Sequence, residues 1–160
     1  SSDVCSSDLL ESNSAVASFT GTNRILVDEN FAWLAADGKL KCLDRGLNVE
    51  AQERIRKIQS DLKNKKISAE DSKKLLLTAQ EKLQEAWLWE VESLVPFDIV
   101  KAGDAIVVGF NGKVCAYSAL DGKLLWQVDV PGTVHGLAIS RGMLIVSTDL
   151  GHIHAFAAVQ

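Results

Sequence analysis

Two hydrophobic rhythms alternate along this chain. Trp87, Trp89 and Val91 alternate with Leu88, Glu90 and Glu92, the period of two expected of a strand with one covered face. Leu124, Trp126, Val128 and Val130 alternate in the same way with Leu125, Gln127 and Asp129. Ala105–Phe110 is apolar at most positions, which predicts a strand covered on both faces. Tight-turn pairs punctuate these runs: Asp37-Gly38, Gly103-Asp104, Asn111-Gly112 and Asp121-Gly122. The pattern predicts strands at Ile25–Val27, Phe31–Ala35, Lys39–Leu43, Trp87–Glu92, Ile99–Lys101, Ala105–Phe110 and Lys113–Ser118. It predicts four more at Leu124–Val130, Val134–Ser140, Met143–Thr148 and His152–Ala157.

The stretch Asn48–Ala86 follows the other rhythm and holds no Gly, Pro or aromatic residue. Ala51, Ile55, Ile58 and Leu62 share one helical face; Leu76, Ala79, Leu83 and Ala86 share another. Ser68-x-x-Asp71 resembles a capping box with Asp in place of Glu or Gln, and it starts the second helix. Glu50–Arg54, Glu53–Lys57 and Glu70–Lys74 have the spacing of supportive charge pairs. Two antiparallel helices are expected, turning near Asn64–Ile67.

The strand-bearing parts repeat. Gly103 and Gly142 are 39 residues apart, as are Gly112 and Gly151, and the flanking residues correspond. Gly38 aligns with Gly112 at an offset of 74, leaving an excess of 35 residues over one period, close to the size of the helical stretch. The helices therefore read as an insertion between a third strand and a fourth. A period near 40 with four strands per unit is the signature of propeller blades. The expected fold is all-β: a partial β-propeller of about 2.75 four-stranded blades with an inserted antiparallel α-helical hairpin. Residues 10–46 form the first partial blade and 47–86 the hairpin. Residues 87–160 hold the end of that blade, one full blade and a truncated third. Ser1–Leu9 fits no element and resembles a translated sequencing adapter, so it is set aside as an artefact and the chain is read as a fragment.

Ala116, Gly122 and Trp126 stand at the spacing of a docking motif, with Ser118 where Asp is usual and Asp121 where Thr is usual. On these residues, on Trp89, and on the recurring turn glycines Gly38, Gly112 and Gly151, the chain resembles the pyrroloquinoline-quinone-type (quinoprotein-like) β-propeller repeat family. It is WD-like in its repeat length. The resemblance implies that Trp89 and Trp126 dock neighbouring blades and that Trp126 is largely buried in a closed propeller. It also implies a bacterial periplasmic or envelope location, with the missing blades of the full-length chain as the first partners. Pyrroloquinoline quinone enters only through the resemblance. The family's enzymes use vicinal cysteines and a calcium site, and neither is present in this sequence. The reading is a non-catalytic scaffold for protein or ligand binding, leaning away from an enzyme; the alternative is a fragment of a quinone-dependent dehydrogenase.

Composition narrows the reading. The 160 residues carry a net charge of −4 and 47% hydrophobic residues, which suits a globular chain and argues against a general nucleic-acid binder. No apolar run approaches the ~20 residues of a membrane span. Charge is uneven: Glu50–Glu85 is net +2 and the remainder −6. Lys63, Lys65 and Lys66 mark the hairpin tip as a partner-contact surface, and the absence of aromatic residues there disfavours nucleic acid. Cys5, Cys42 and Cys115 form no C-x-x-C; Cys42 and Cys115 are expected to be free, partly buried and facing different ways. His152 and His154 share a strand face, but His135 is expected roughly 10 Å away, so no metal site is assigned. No catalytic or cofactor-binding residue is assigned.

Overall fold

A computed structural model describes residues 18–157; the adapter-like Ser1–Leu9 lies outside them. Two antiparallel sheets and one helical hairpin make up the described chain. The first sheet runs in the order β1 (Thr22–Val27), β2 (Phe31–Ala36), β3 (Lys39–Asp44), β4 (Trp87–Glu92). Between β3 and β4 stand α1 (Arg45–Lys63) and α2 (Ala69–Glu85). The second sheet contains β5 (Asp98–Ala102), β6 (Ala105–Gly109), β7 (Asn111–Ser118), β8 (Leu124–Ser140), β9 (Met143–Thr148) and β10 (Ile153–Ala157). Its strands neighbour one another in chain order.

β8 corrects the expected segmentation. Leu124–Val130 and Val134–Ser140 were expected as separate strands, but they form one strand of 17 residues. Its first half pairs with β7 and its second half with β9. Pro131 and Gly132 suggest a break. The ladder nevertheless continues across them, because Asn111 pairs with Thr133 and the Val134 amide donates to the Phe110 carbonyl at 3.1 Å. The strands therefore fall into sheets of four and six, with the six-stranded sheet bending through β8.

The register repeats with the sequence. Trp33 pairs with Cys42 and Cys42 with Trp89; 74 residues after the first two, Val107 pairs with Ala116, which in turn pairs with Trp126, 37 residues after Trp89. The first core lies between the sheets: Trp33, Leu40 and Cys42 meet Ile106, Val108, Phe110 and Cys115. The second core lies inside the bend of β8, with Val107, Val114 and Ala116 against Val134, Leu144 and Val146. At the usual coefficient, each fully covered side chain of this kind contributes roughly 1.5–3 kcal/mol.

The hairpin packs mainly on itself and meets the sheets at β3 and β4, where it joins them. Ala51, Ile58, Ala79 and Ala86 are buried, with Asn48 and Ser72 among them. Helix α1 begins three residues earlier than the aromatic-free stretch and runs through Gly46. The Asp44 carboxylate caps it by accepting the Leu47 amide at 3.0 Å, which offsets the cost of a glycine in the first turn. Ser68 caps α2: its Oγ accepts the Asp71 amide at 3.0 Å and donates to Asp71 Oδ2 at 2.7 Å. The Glu70–Lys74 pair forms at 3.9 Å. The insertion's two ends meet where the Asp44 amide donates to the Ala86 carbonyl at 2.8 Å. The Arg45 guanidinium donates to the carbonyls of Asp28 and Glu29, tying the base of the hairpin to the β1–β2 turn.

Candidate functional site

The Asp121-Gly122 turn after β7 is where the first sheet is received. Trp89 Nε1 donates to the Ala119 carbonyl at 3.1 Å, and Trp33 Nε1 approaches the same oxygen at 3.4 Å. Gly122 has φ +71°, and a Cβ there would lie 2.6 Å from Cε3 of the Trp89 ring. Glycine is thus required twice, by the backbone and by the indole lying on it. The turn is held open from outside. Asp121 accepts the Lys123 amide at 3.2 Å and pairs with the Lys123 ammonium at 2.6 Å, and that partner, with Ser118, holds its carboxyl down at about 2. Gly38, Gly112 and Gly151 take φ of +72°, +79° and +77° in the other hairpin turns.

Trp126 is placed differently. Expected to be largely buried once a propeller closes over it, it is 41% exposed among the described residues. Trp89 is covered by the Ser118–Gly122 segment; the corresponding positions for Trp126, 39 residues on, begin at Ala157 and continue outside the described residues. The indole instead forms one wall of an apolar cleft of about 560 Å³. Ala102, Ala105 and Val107 form its floor side, and Ile139, Met143 and Phe156 the opposite side. Among the described residues, no charged side chain lines it.

A second feature is the polar seam where the first strands of successive repeats meet. Arg24 Nε donates to the Phe97 carbonyl at 2.7 Å. The Leu137 amide donates to Asp98 Oδ2 at 2.7 Å. Lys101 Nζ lies 2.5 Å from Asp28 Oδ2 and 4.9 Å from the centre of the Trp33 ring. The Lys101 hydrogen bond is the main reason the Asp28 carboxyl sits below its ordinary value. These groups are satisfied by one another and read as structural.

The other sequence candidates are dispersed. The His152 and His154 rings are 5.9 Å apart, and His154 stacks on Phe156. His135 packs instead against Phe97 at 5.4 Å. Among the described residues, no three His, Cys, Asp or Glu side chains stand together as a metal-binding group. Cys42 and Cys115 are free and fully buried, where partial burial was expected. They do lie on opposite faces of their own sheets, but those faces meet, so both thiols enter the same core. Burial first, then Asp28 and Asp44, pushes the Cys42 thiol up to about 11; burial also raises Cys115. Such thiols are poor nucleophiles. The described residues do not fit a quinone–calcium site: their two thiols are on different sheets, and no carboxylate cluster among the described residues accompanies them. Lys63, Lys65 and Lys66 are exposed at the hairpin tip, Lys66 lying 3.8 Å from Asp61. No helix among the described residues is long and apolar enough to cross a membrane.

The fold and clefts define a two-sheet antiparallel β protein carrying a helical arm. No protein-family model matches the chain, and no curated protein matches it. Among solved structures, it is similar to the computationally designed Ika4 protein, with 12% identity and a TM-score of 0.55 over 85% of this chain and 65% of that one. It is also similar to the designed Ika8 protein, with 13% identity and a TM-score of 0.54 over 86% of this chain and 33% of that one. BamB from Moraxella catarrhalis aligns at 13% identity and a TM-score of 0.42, over 82% of this chain and 41% of that one. The chain thus spans less than two thirds of the length of each.

Proposed function

We propose that the chain is a run of consecutive blades of a quinoprotein-like β-propeller that serves as a non-catalytic binding scaffold in the bacterial envelope. The observation that carries this reading is the stacking of first strands. Contacts of Arg24 with Phe97 and of Asp28 with Lys101 put β1 and β5 side by side, running the same way. Contacts of Phe97 with His135 and of Asp98 with Leu137 do the same for β5 and the second half of β8. Each first strand is followed by an antiparallel meander in the same register. Radial repetition of this kind is how propellers are built. Ile25, Val27 and Ile153 expose apolar side chains at the two ends of the stack, where further blades would pack.

In this reading the helical arm contacts a protein partner through Lys63, Lys65 and Lys66, the basic tip of an otherwise acidic chain. A photo-crosslinker at position 65 of the full-length protein should then capture a defined partner, and charge reversal of the three lysines should abolish capture while leaving the circular dichroism unchanged. Capture that survives the reversal refutes the tip. The alternative, a piece of a quinone-dependent dehydrogenase, requires alcohol- or sugar-dependent dye reduction by the full-length protein given quinone and calcium. Finding that activity would overturn the scaffold reading.

A further inference from the structure

The two sides of the helical hairpin differ in kind. Its helices meet through small residues: Ala51 on α1 and Ser72 and Ala79 on α2 are fully buried, beside Ile58. Small residues let the helices approach closely, so the longer apolar side chains are left beside the seam. Ile55 and Leu62 on α1, and Leu76 and Leu83 on α2, stand seven residues apart within each helix, so each pair shares a side. None of the four is buried; Leu62 is 38% exposed, and Leu77 beside Leu76 is 54% exposed. Between the helices on this side lies an open groove of about 390 Å³, with Leu62, Leu76 and Leu77 as its walls and Ala69 and Ser72 as its floor. Gln80 and Lys73 complete the lining, and Lys73 is its one charged member among the described residues. The carboxylates are on the opposite side, where Glu50, Glu53 and Asp61 mix with Arg54 and Lys57.

We propose that the apolar side of the hairpin receives an amphipathic helix of a partner protein, a helix with acidic flanks, and so completes a three-helix bundle. The inference rests on the reading of the arm as the partner-contact element, and it moves the contact from the tip to one side. Shape favours a helix. Two apolar rows with seven-residue spacing, above a floor of small residues, take the ridge of a third helix. That helix would run beside neighbours of 19 and 17 residues, about 25–29 Å long. Charge sets the flanks. Lys73 lines the groove and Lys63 follows Leu62 at the end of α1, while no carboxylate lines this side among the described residues. Glutamate or aspartate on the incoming helix meets those lysines without a like charge opposing it. The same charges disfavour a second copy, which would bring its own lysines against them. A bilayer is flat, whereas these leucines flank a concave seam.

The probe is a labelled peptide of about 21 residues with leucine at the first and fourth positions of each heptad and glutamate on the flanks. Titrated with the 160-residue chain, it should show a saturable rise in fluorescence anisotropy with Kd on the order of 10⁻⁵ M, and a gain in helical circular dichroism. Leu62→Gln combined with Leu77→Gln should weaken binding at least about tenfold. Leu75→Gln is the matched control: that leucine is 39% exposed but lines the charged side, and binding should not change. A peptide with lysine in place of the glutamates should bind at least about tenfold more weakly. The proposal fails if the acidic peptide does not bind, if the double variant folds and binds it unchanged, if Leu75→Gln weakens it equally, or if the lysine peptide binds as well. It also fails if sedimentation shows the chain pairing through Leu62 and Leu77, or if that side binds phosphatidylserine vesicles and not the peptide. Loss of binding only on charge reversal of Lys63, Lys65 and Lys66 overturns the groove and leaves the tip contact standing. Loss only with the double leucine variant supports the groove and refutes the tip. Should the leucine variants not fold, a photo-crosslinker decides: one at position 80 should join the peptide and one at position 57 should not, and the reverse overturns the groove.

Discussion

Replacing Gly122 with alanine tests the joint between the two sheets at a single carbon. At φ +71° a Cβ costs about 1–2 kcal/mol in backbone strain alone. The new methyl would also lie 2.6, 2.9 and 3.0 Å from three atoms of the Trp89 ring. That ring is not free to retreat, because its Nε1 is tied to the Ala119 carbonyl. Overpacking of this kind costs about 1–3 kcal/mol, so the total is about 2–5 kcal/mol, a large share of the stability of a typical domain. Gly112 is the matched control. Its φ is +79° and a methyl there would meet no atom within 4 Å, so Gly112→Ala should cost only the backbone share, about 1–2 kcal/mol. Urea midpoints at constant m separate the two. In a Trp89→Leu background the extra cost of Gly122→Ala should disappear, leaving the two glycine substitutions equal. Equal costs in the unmodified chain, or an excess that survives the loss of Trp89, would refute the docking geometry.

Trp89→Ala should cost about 3–5 kcal/mol, and Trp126→Ala in the same chain half of that or less, because its indole is partly in water; equal losses in denaturant midpoint would contradict the placement. Lys101→Met should cost about 1 kcal/mol, from the ring contact and a partly exposed ion pair. Because Lys101 lowers the Asp28 carboxyl, that pair stabilises above the ordinary Asp value and its contribution is lost as pH falls through the lowered one. Acid titrations of stability should therefore show a shallower loss in Lys101→Met; an identical slope would mean the pair does not hold in solution. Excising the arm is expected to leave the sheets folded with a nearly unchanged melting temperature, provided the cut spares Ala86. That residue, at the end of the stretch read from sequence as the hairpin, is fully buried against Leu34 and Leu43. Replacing residues 48–85 with a short Gly-Ser loop and finding the β circular dichroism lost would show that the helices are core.

How much was legible in advance follows the range of the forces involved. The alternation in Trp87–Glu92, the turn at Asp121-Gly122 and the Ser68 cap are settled within a few residues, and each is found where the local pattern puts it. The offset of 74 between Trp33 and Val107, and between Cys42 and Ala116, was readable as repetition, and the pairing of the sheets keeps it. Where one local signal opposed another, sequence alone chose badly. Pro131-Gly132 marks a break, but hydrogen bonds to Phe110 and Asp149 carry β8 through it. The hairpin was expected from residue 47, but the Asp44 cap and the Arg45 contacts start its first helix at Arg45.

By itself, then, the sequence determined the strands, the turns, the helical insertion and the period, because each depends on backbone preferences and side-chain alternation over a short span. Only the tertiary structure decided what lies between the sheets. Cys42 and Cys115, on opposite faces of sheets far apart in sequence, enter one core because those faces are the ones that meet. Trp89 is covered by the Ser118–Gly122 segment of the other sheet, a contact between positions 30 residues apart. Close packing is a property of opposed surfaces, and no stretch of one strand records which face another sheet will cover.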